Sequence, residues 1–285
     1  MNVLSCFDGM SCAQIALERA GIEVDNYYAS EVNKSAIKVT QANYPNTIQL
    51  GDINTLDLAS LPKIDLVIGG SPCQDFSILK ANRKGLDGEK SKLFYTFLKI
   101  KNELNPEFFL LENVKMRKDS YEKLNDYLGV DGVLINSSLV SFQARPRYYW
   151  TNIDYGAIPL DKRVTFQDYK QTRREDILHA KTNKTPSRER MWNNGEKGNN
   201  IGSRCPNITR SDKIGCLTRK QDRSPNSGLV EFEGFCRYLT RREMENAQTV
   251  PEGYTDCVSY NQSQDILGNG FTVDVIAHIL KGMKS

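Results

Sequence analysis

Histidine is nearly missing from this chain: His179 and His278 are the only two in 285 residues. No Cys-x-x-Cys pair or close histidine pair occurs either, so no metal site is expected. The seven cysteines are odd in number and scattered without a framework, which reads as reduced thiols rather than disulfides. No apolar run approaches the ~18 residues of a membrane span. The start of the chain lacks the basic-then-apolar pattern of a signal peptide. A cytoplasmic protein without membrane contact is therefore expected. Both the Gly-x-Gly-x-x-Gly fingerprint and the P-loop are absent, so a phosphate cradle is not expected. No internal repeat is visible.

What is present is an ordinary globular composition, with room for one large or two modest domains. The formal net charge is only +3, but it is uneven. Residues 151–235 hold 16 Lys and Arg against 11 Asp and Glu. A basic segment on a near-neutral body suits a polyanionic partner, and equally a solvated loop. Over the first ~150 residues, short apolar strands alternate with helical patterns, as a parallel α/β sheet requires. Strands are expected at 2–6, 27–31, 48–50, 64–68, 108–111, 133–136 and 148–150. Helices are expected up to Gly21, over 34–43, around 93–104 and 121–128, and over 271–280. From about Ile153 to Gly234 the periodicity dissolves into Lys, Arg, Asn, Gly, Ser and Thr, as in a small loop-rich lobe.

The centre of the chain is Ile64-Asp65-Leu66-Val67-Ile68-Gly69-Gly70-Ser71-Pro72-Cys73-Gln74-Asp75-Phe76-Ser77. An apolar strand is ended by two glycines, and Pro72 then fixes the backbone before a thiol. The carboxyl ends of strands are where open α/β sheets bind ligands. A lone cysteine reads as a small buried hydrophobe; one in this company is a candidate nucleophile. Glu31, Asp52 and Glu112 likewise end expected strands, on what should be the same sheet edge. Such carboxylates suit ribose hydroxyls, and also plain surface caps. Lys80 to Lys90, with Gly85 and Gly88, reads as a mobile lid.

Six ordered motifs make a family resemblance plain. Phe7-Asp8-Gly9, Pro72-Cys73-Gln74, Glu112-Asn113-Val114 and Gln143-Ala144-Arg145-Pro146-Arg147 resemble motifs of the DNA (cytosine-5) methyltransferases of compact bacterial and bacteriophage type. Arg237-Tyr238-Leu239-Thr240 with Glu243 resembles the motif that braces the family's target-recognition region, and Gly268-Asn269-Gly270 resembles its final motif. The resemblance implies a Rossmann-like S-adenosylmethionine-dependent α/β sheet with a smaller loop-rich target-recognition lobe. It implies a catalytic domain over 1–152, the lobe over 153–235, and a return segment over 236–285 that completes the catalytic domain. It also implies methyl transfer from S-adenosylmethionine to C5 of a flipped-out cytosine in duplex DNA, through a covalent Cys73 adduct. Such enzymes belong to DNA modification and restriction-modification.

By the same resemblance, Glu112 would bond cytosine N3, Arg145 would contact its O2, and Arg147 would position the Cys73 loop. Cofactor contacts would come from Phe7, Asp8, Gly9, Glu31, Asp52, Ile53, Pro72 and Asn269. DNA contacts would come from Gln74, Ser77, Arg237 and Thr240. A monomer is expected. Ser11-Cys12-Ala13 departs from the family, which usually has a further glycine there. Two other readings stay open: the same chemistry on tRNA, and a binding-only regulator, against which Cys73, Glu112, Arg145 and Arg147 together argue.

Overall fold

The structure is a computed structural model that describes residues 1–71, 92–196 (side chains to 194), 205–221 and 227–284. The Pro72-Cys73-Gln74 loop, Ser77 and the expected lid lie outside the described residues. The chain forms two compact units. The first comprises Met1–Asn136, Pro146–Ile158 and Val273–Ser285; the second comprises Ser137–Arg145 and Pro159–Thr272.

The first unit is a seven-stranded sheet. Its strands are β1 (Asn2–Cys6), β2 (Asn26–Ser30), β3 (Ile48–Gln49), β4 (Leu66–Gly70), β5 (Phe108–Val114), β6 (Val133–Asn136) and β7 (Pro146–Thr151). The spatial order is β3-β2-β1-β4-β5-β7-β6. β1 to β5 pair in parallel, whereas β7 runs antiparallel to both β5 and β6. The order reverses between β1 and β4, which places the topological switch point, and hence the ligand edge, at the carboxyl ends of these strands.

The helices of this unit are α1 (Cys12–Ala20), α2 (Lys34–Asn43), α3 (Lys92–Leu104), α4 (Lys118–Leu128) and α9 (Val273–Leu280). Phe94, Phe97 and Ile100 of α3, with Leu124 and Leu128 of α4, bury against Leu4, Cys6, Val67, Phe109, Leu111 and Trp150 of the sheet. The chain returns at α9, whose buried Val273, Val275, Ile276, Ile279 and Leu280 make it apolar almost all round. Arg19 of α1 and Asp274 of α9 form an ion pair at 2.6 Å.

The expected strand over 64–68 actually runs from Leu66 through Gly70. Gly69 and Gly70 therefore belong to the strand and do not break it. Gly69 is there for close approach: a Cβ on it would lie 2.8 Å from the Cys6 carbonyl oxygen of β1. No described helix is long and apolar enough to cross a membrane.

The second unit contains α5 (Arg174–Ile177), α6 (Pro186–Glu196), the hairpin β8 (Val230–Phe232) and β9 (Phe235–Arg237), α7 (Arg241–Ala247) and α8 (Tyr260–Asn269). A small cluster of Met191, Trp192, Cys205, Leu229 and Cys236 serves as one core. Much of the remaining order is polar. Gln143 donates to Ala247 O (3.0 Å) and Gln248 Oε1 (3.2 Å) and accepts from Leu217 N (2.8 Å). Gln248 in turn donates to Leu267 O and Gly270 O. Buried amides with every bond made can fix a unique arrangement where apolar periodicity is lacking.

Candidate active site

The carboxyl end of β1 leads into a loop, Phe7 to Ser11, in which Phe7 (φ 57°), Gly9 (φ 63°) and Ser11 (φ 58°) are all left-handed. Gly9 meets the need for positive φ without strain, and nothing lies within 4 Å of where its Cβ would be, so this backbone is open to approach. Phe7 and Ser11 carry a strain of roughly 1 kcal/mol or more each, which persists only where the surroundings over-determine the conformation.

Those surroundings are polar. Asp8 is only 6% exposed. Its Oδ1 accepts from the Tyr27 hydroxyl of β2 at 2.7 Å, and its Oδ2 accepts from the Ser11 hydroxyl. Ser11 Oγ also meets Thr40 Oγ1 of α2 at 3.0 Å, and Asp8 N donates to Ser30 O at 3.0 Å. Ser11 thus occupies a position suited to glycine, with a hydroxyl that ties the loop to Asp8. This explains the departure from the family motif. The Asp8 carboxylate points into the protein, where burial pushes its pKa up to about 6 against the opposing hydrogen bonds from Ser11 and Tyr27.

Glu31 follows β2. Its Oε2 accepts Gly9 N at 2.7 Å, and its Oε1 accepts Val32 N and Asn33 N at 2.7 and 2.8 Å. A carboxylate offers about four acceptor positions, so one remains for an outside donor. Past β3, Asp52 caps a 3-10 turn with Oδ1 accepting Asn54 N and Nδ2. Among the described residues its Oδ2 has no partner. Ile53 is buried in the sheet core, and Phe7 packs on that core. Val32, which motif reading missed, leaves its apolar side chain 68% exposed beside Glu31. Its signal was simply its place after that carboxylate. These residues fit a nucleoside: an open glycine backbone, an exposed apolar side chain, and two carboxylates with free acceptor positions.

On the neighbouring strands, Glu112 of β5 pairs in register with Gly70 of β4 and Tyr149 of β7. Arg147 of β7 lies diagonally across from it, and its Nε reaches Glu112 Oε1 at 3.0 Å. Their side chains are 12% and 14% exposed, so the pair is largely but not wholly buried. Asn113 Nδ2 donates to Ser71 Oγ at 2.9 Å, which fixes the chain just beyond β4. Sequence reading had not singled out Ser71.

Several residues expected at ligand contacts are buried and have partners within the second unit. Arg145 was expected at a pyrimidine O2. Its guanidinium instead donates, within the second unit, to Leu217 O (3.1 Å), Gly268 O (3.3 Å) and Gly270 O (3.0 Å). Arg147, not Arg145, is the arginine that accompanies Glu112. Arg237 and Thr240 were expected at DNA, yet they are 1% and 0% exposed. Arg237 makes a two-pronged pair with Glu243 at 2.8 Å on each oxygen, and Thr240 caps α7 in a capping box with the same glutamate. Both residues brace the second unit. Asn269 is the last residue of α8, also in the second unit. On its surface, Arg173 pairs with Asp176, and Arg174 with Glu233. No group of residues able to hold a metal occurs among the described residues.

A mixed sheet of this order, with carboxylates at its ligand edge, defines the fold class as a Rossmann-like methyltransferase. Similar solved structures share the fold. S. pombe Dnmt2 methyltransferase superposes with a TM-score of 0.72 at 19% identity, over 100% of both chains. Entamoeba histolytica methyltransferase EhMeth gives 0.73 at 16%, over 99% of this chain and 97% of the other. Within that class, residues 1–129 match the C-5 cytosine-specific DNA methylase family. The resemblance read from the motifs is thereby borne out.

Among curated relatives, orphan methyltransferase M.SPRI of Bacillus phage SPR is 36% identical over 117 residues, 40% of this chain and 26% of its own length. Type II methyltransferase M1.ScrFI of Lactococcus lactis subsp. cremoris is 28% identical over 99% of this chain and 77% of its own length. The match spans about a quarter of the length of the phage relatives.

Proposed function

We propose that this protein methylates C5 of a cytosine in a specific duplex DNA sequence, using S-adenosylmethionine. The observation that carries the reading is the Glu112–Arg147 pair on the sheet edge that also presents Glu31, in a chain whose residues 1–129 match the C-5 cytosine-specific DNA methylase family. Unactivated C5 is a poor nucleophile. Addition of the Cys73 thiolate to C6 makes it an enamine carbon able to take a methyl group. Charge then spreads to N3 and O2 of the ring. Glu112 faces the N3 edge of the ring, and the guanidinium of Arg147, held against Glu112, meets the charge that builds on O2. A donor placed where charge develops contributes ~2.7–4 kcal/mol to such a step. Loss of the C5 proton then expels Cys73 and restores the aromatic ring.

Glu31 would receive a ribose hydroxyl at its remaining acceptor position, and Asp52 Oδ2 the adenine amine. Phe7 and Val32 would bracket the adenine, with Gly9 allowing close approach. When bound there, S-adenosylmethionine supplies an electrophilic methyl on a sulfonium. The target base cannot be reached inside a duplex, so it must be flipped out. Gln74 and Ser77 stay candidates to hold the opened strand. We assign residues 1–152 and 236–285 to catalysis and 153–235 to recognition, with Arg237 and Thr240 as internal braces. Labelled-methyl transfer to mixed-sequence duplex DNA, beside tRNA, tests the reading. Label in 5-methylcytosine of the duplex is expected; label in tRNA alone, or in neither, would overturn it.

A further inference from the structure

Asp8 stands apart from the other acids at the sheet edge because its carboxylate faces inward. It lies under the Phe7 to Ser11 loop and receives hydroxyls from two directions, Tyr27 of β2 and Ser11 at the start of α1. Ser11 passes the network on to Thr40 of α2, while Gly9, the next residue along, donates to Glu31. Asp8 therefore connects, through the adjacent Gly9 of the same strained loop, to the carboxylate assigned to the cofactor ribose. We propose that Asp8 is a positioning residue whose ionised carboxylate holds the Phe7 to Ser11 loop and the Gly9–Glu31 contact, so that cofactor binding requires Asp8 to be deprotonated. This rests on the cofactor site proposed above.

As a carboxylate, Asp8 accepts both hydroxyls in charge-assisted bonds, which are roughly twice as strong as neutral ones. Once protonated, one oxygen must donate, a hydroxyl must turn round to accept, and both bonds lose their charge assistance. The titratable groups around it are Tyr27 from β2, Glu31 just past β2, and Cys6 from β1. Burial and the Asp8 charge push the Cys6 thiol far up, so it stays neutral. Burial first, and Glu31 in smaller measure, raise Asp8 to about 6, within reach of mild acid.

The same shift has a consequence for the protein without ligand. An acid raised from 3.8 to about 6 on folding contributes stability below pH 3.8 that is lost as pH rises through 6. At neutral pH the ionised group thus works against the fold. Retention of such a group under a binding loop is the pattern of a residue kept for function.

The test is calorimetric binding of S-adenosylhomocysteine from pH 7.5 to 5.0. That ligand lacks the sulfonium charge, so loop geometry and not charge attraction is read. With a midpoint near 6, wild-type affinity should fall about fourfold by pH 5.5 and about elevenfold by pH 5.0. D8N, an isostere of the protonated acid, should bind at least tenfold more weakly at pH 7.5 and show no step near 6. Y27F, which removes one donor to the carboxylate, should move the midpoint upward. Melting of ligand-free D8N should lose the decline that wild type shows between pH 4.5 and 7, which confirms a folded variant. A D8N profile that superimposes on wild type, or an unmoved midpoint in Y27F, overturns the proposal. Absence of wild-type binding at every pH instead overturns the cofactor site itself.

Discussion

Replacing Arg147 with Met tests whether Glu112 depends on its partner. Arg147 Nε sits 3.0 Å from Glu112 Oε1, and Arg147 Nη1 donates to Pro146 O at 2.9 Å. Methionine keeps the length of the side chain and removes the charge, which leaves Glu112 an uncompensated carboxylate. Removing one member of a buried pair costs about 3–5 kcal/mol. The 12–14% exposure of these side chains lets some water in, so about 2–4 kcal/mol is expected here. Adding Glu112→Gln removes the stranded charge, and the double variant should recover part of the loss, with a coupling of about 1–3 kcal/mol. Trp150, fully buried on the same strand β7, provides the probe. Urea unfolding followed by its fluorescence in a Trp192→Phe background would give all four corners of the cycle. In single-turnover methylation, rates should fall in the order wild type, Glu112→Gln, Glu112→Ala, with Arg147→Met also slowed. If Arg147→Met unfolds within about 0.5 kcal/mol of wild type, a cost usual for surface changes, and methylates at its rate, the pair is incidental and the reasoning fails.

Glu31→Ala and Asp52→Ala should each weaken S-adenosylmethionine binding while leaving DNA binding largely intact; calorimetry with unchanged cofactor affinity in both would remove them from the site. Arg237→Met should destabilise the second unit by about 3–5 kcal/mol, because Glu243 would keep a fully buried charge with no partner. Trp192, in the small core of that unit, should report the shift on urea unfolding, and a loss below about 1 kcal/mol would mean that the pair does not brace it.

The first unit was legible because its strands are continuous apolar runs and its helices carry clear stops. Gly21 and Gly129 cap α1 and α4 in left-handed conformation, and the strand of Phe108 to Leu111 appears with Glu112 at the ligand edge. The sequence did not disclose that β7 runs antiparallel, since an aromatic strand reads alike in either direction. In the second unit, the motif that joins Arg237 and Thr240 with Glu243 suits both a brace and a DNA contact, and nothing local says that Arg145 will end on backbone carbonyls. Those partners lie on other elements and exist only once the chain has folded. Helix α8 went unread because its polar Tyr260-Asn261-Gln262-Ser263-Gln264-Asp265 start hides the period, although Ser259 and Gln262 form a capping box. At Ser11 the missing glycine was visible, but its compensation by Asp8 and Thr40 was not.

The covalent chemistry at Cys73 is tested most directly with a mixed-sequence duplex in which 5-fluorocytosine replaces cytosine. Fluorine at C5 cannot leave as a proton does, so the thiol added at C6 stays attached. In the presence of S-adenosylmethionine, wild-type protein should give a denaturation-resistant complex whose intact mass is that of protein, strand and one methyl group, and Cys73→Ala should give none. A complex that persists in Cys73→Ala, or wild-type protein that methylates ordinary duplex cytosine yet never becomes trapped on the fluorinated one, would contradict the account.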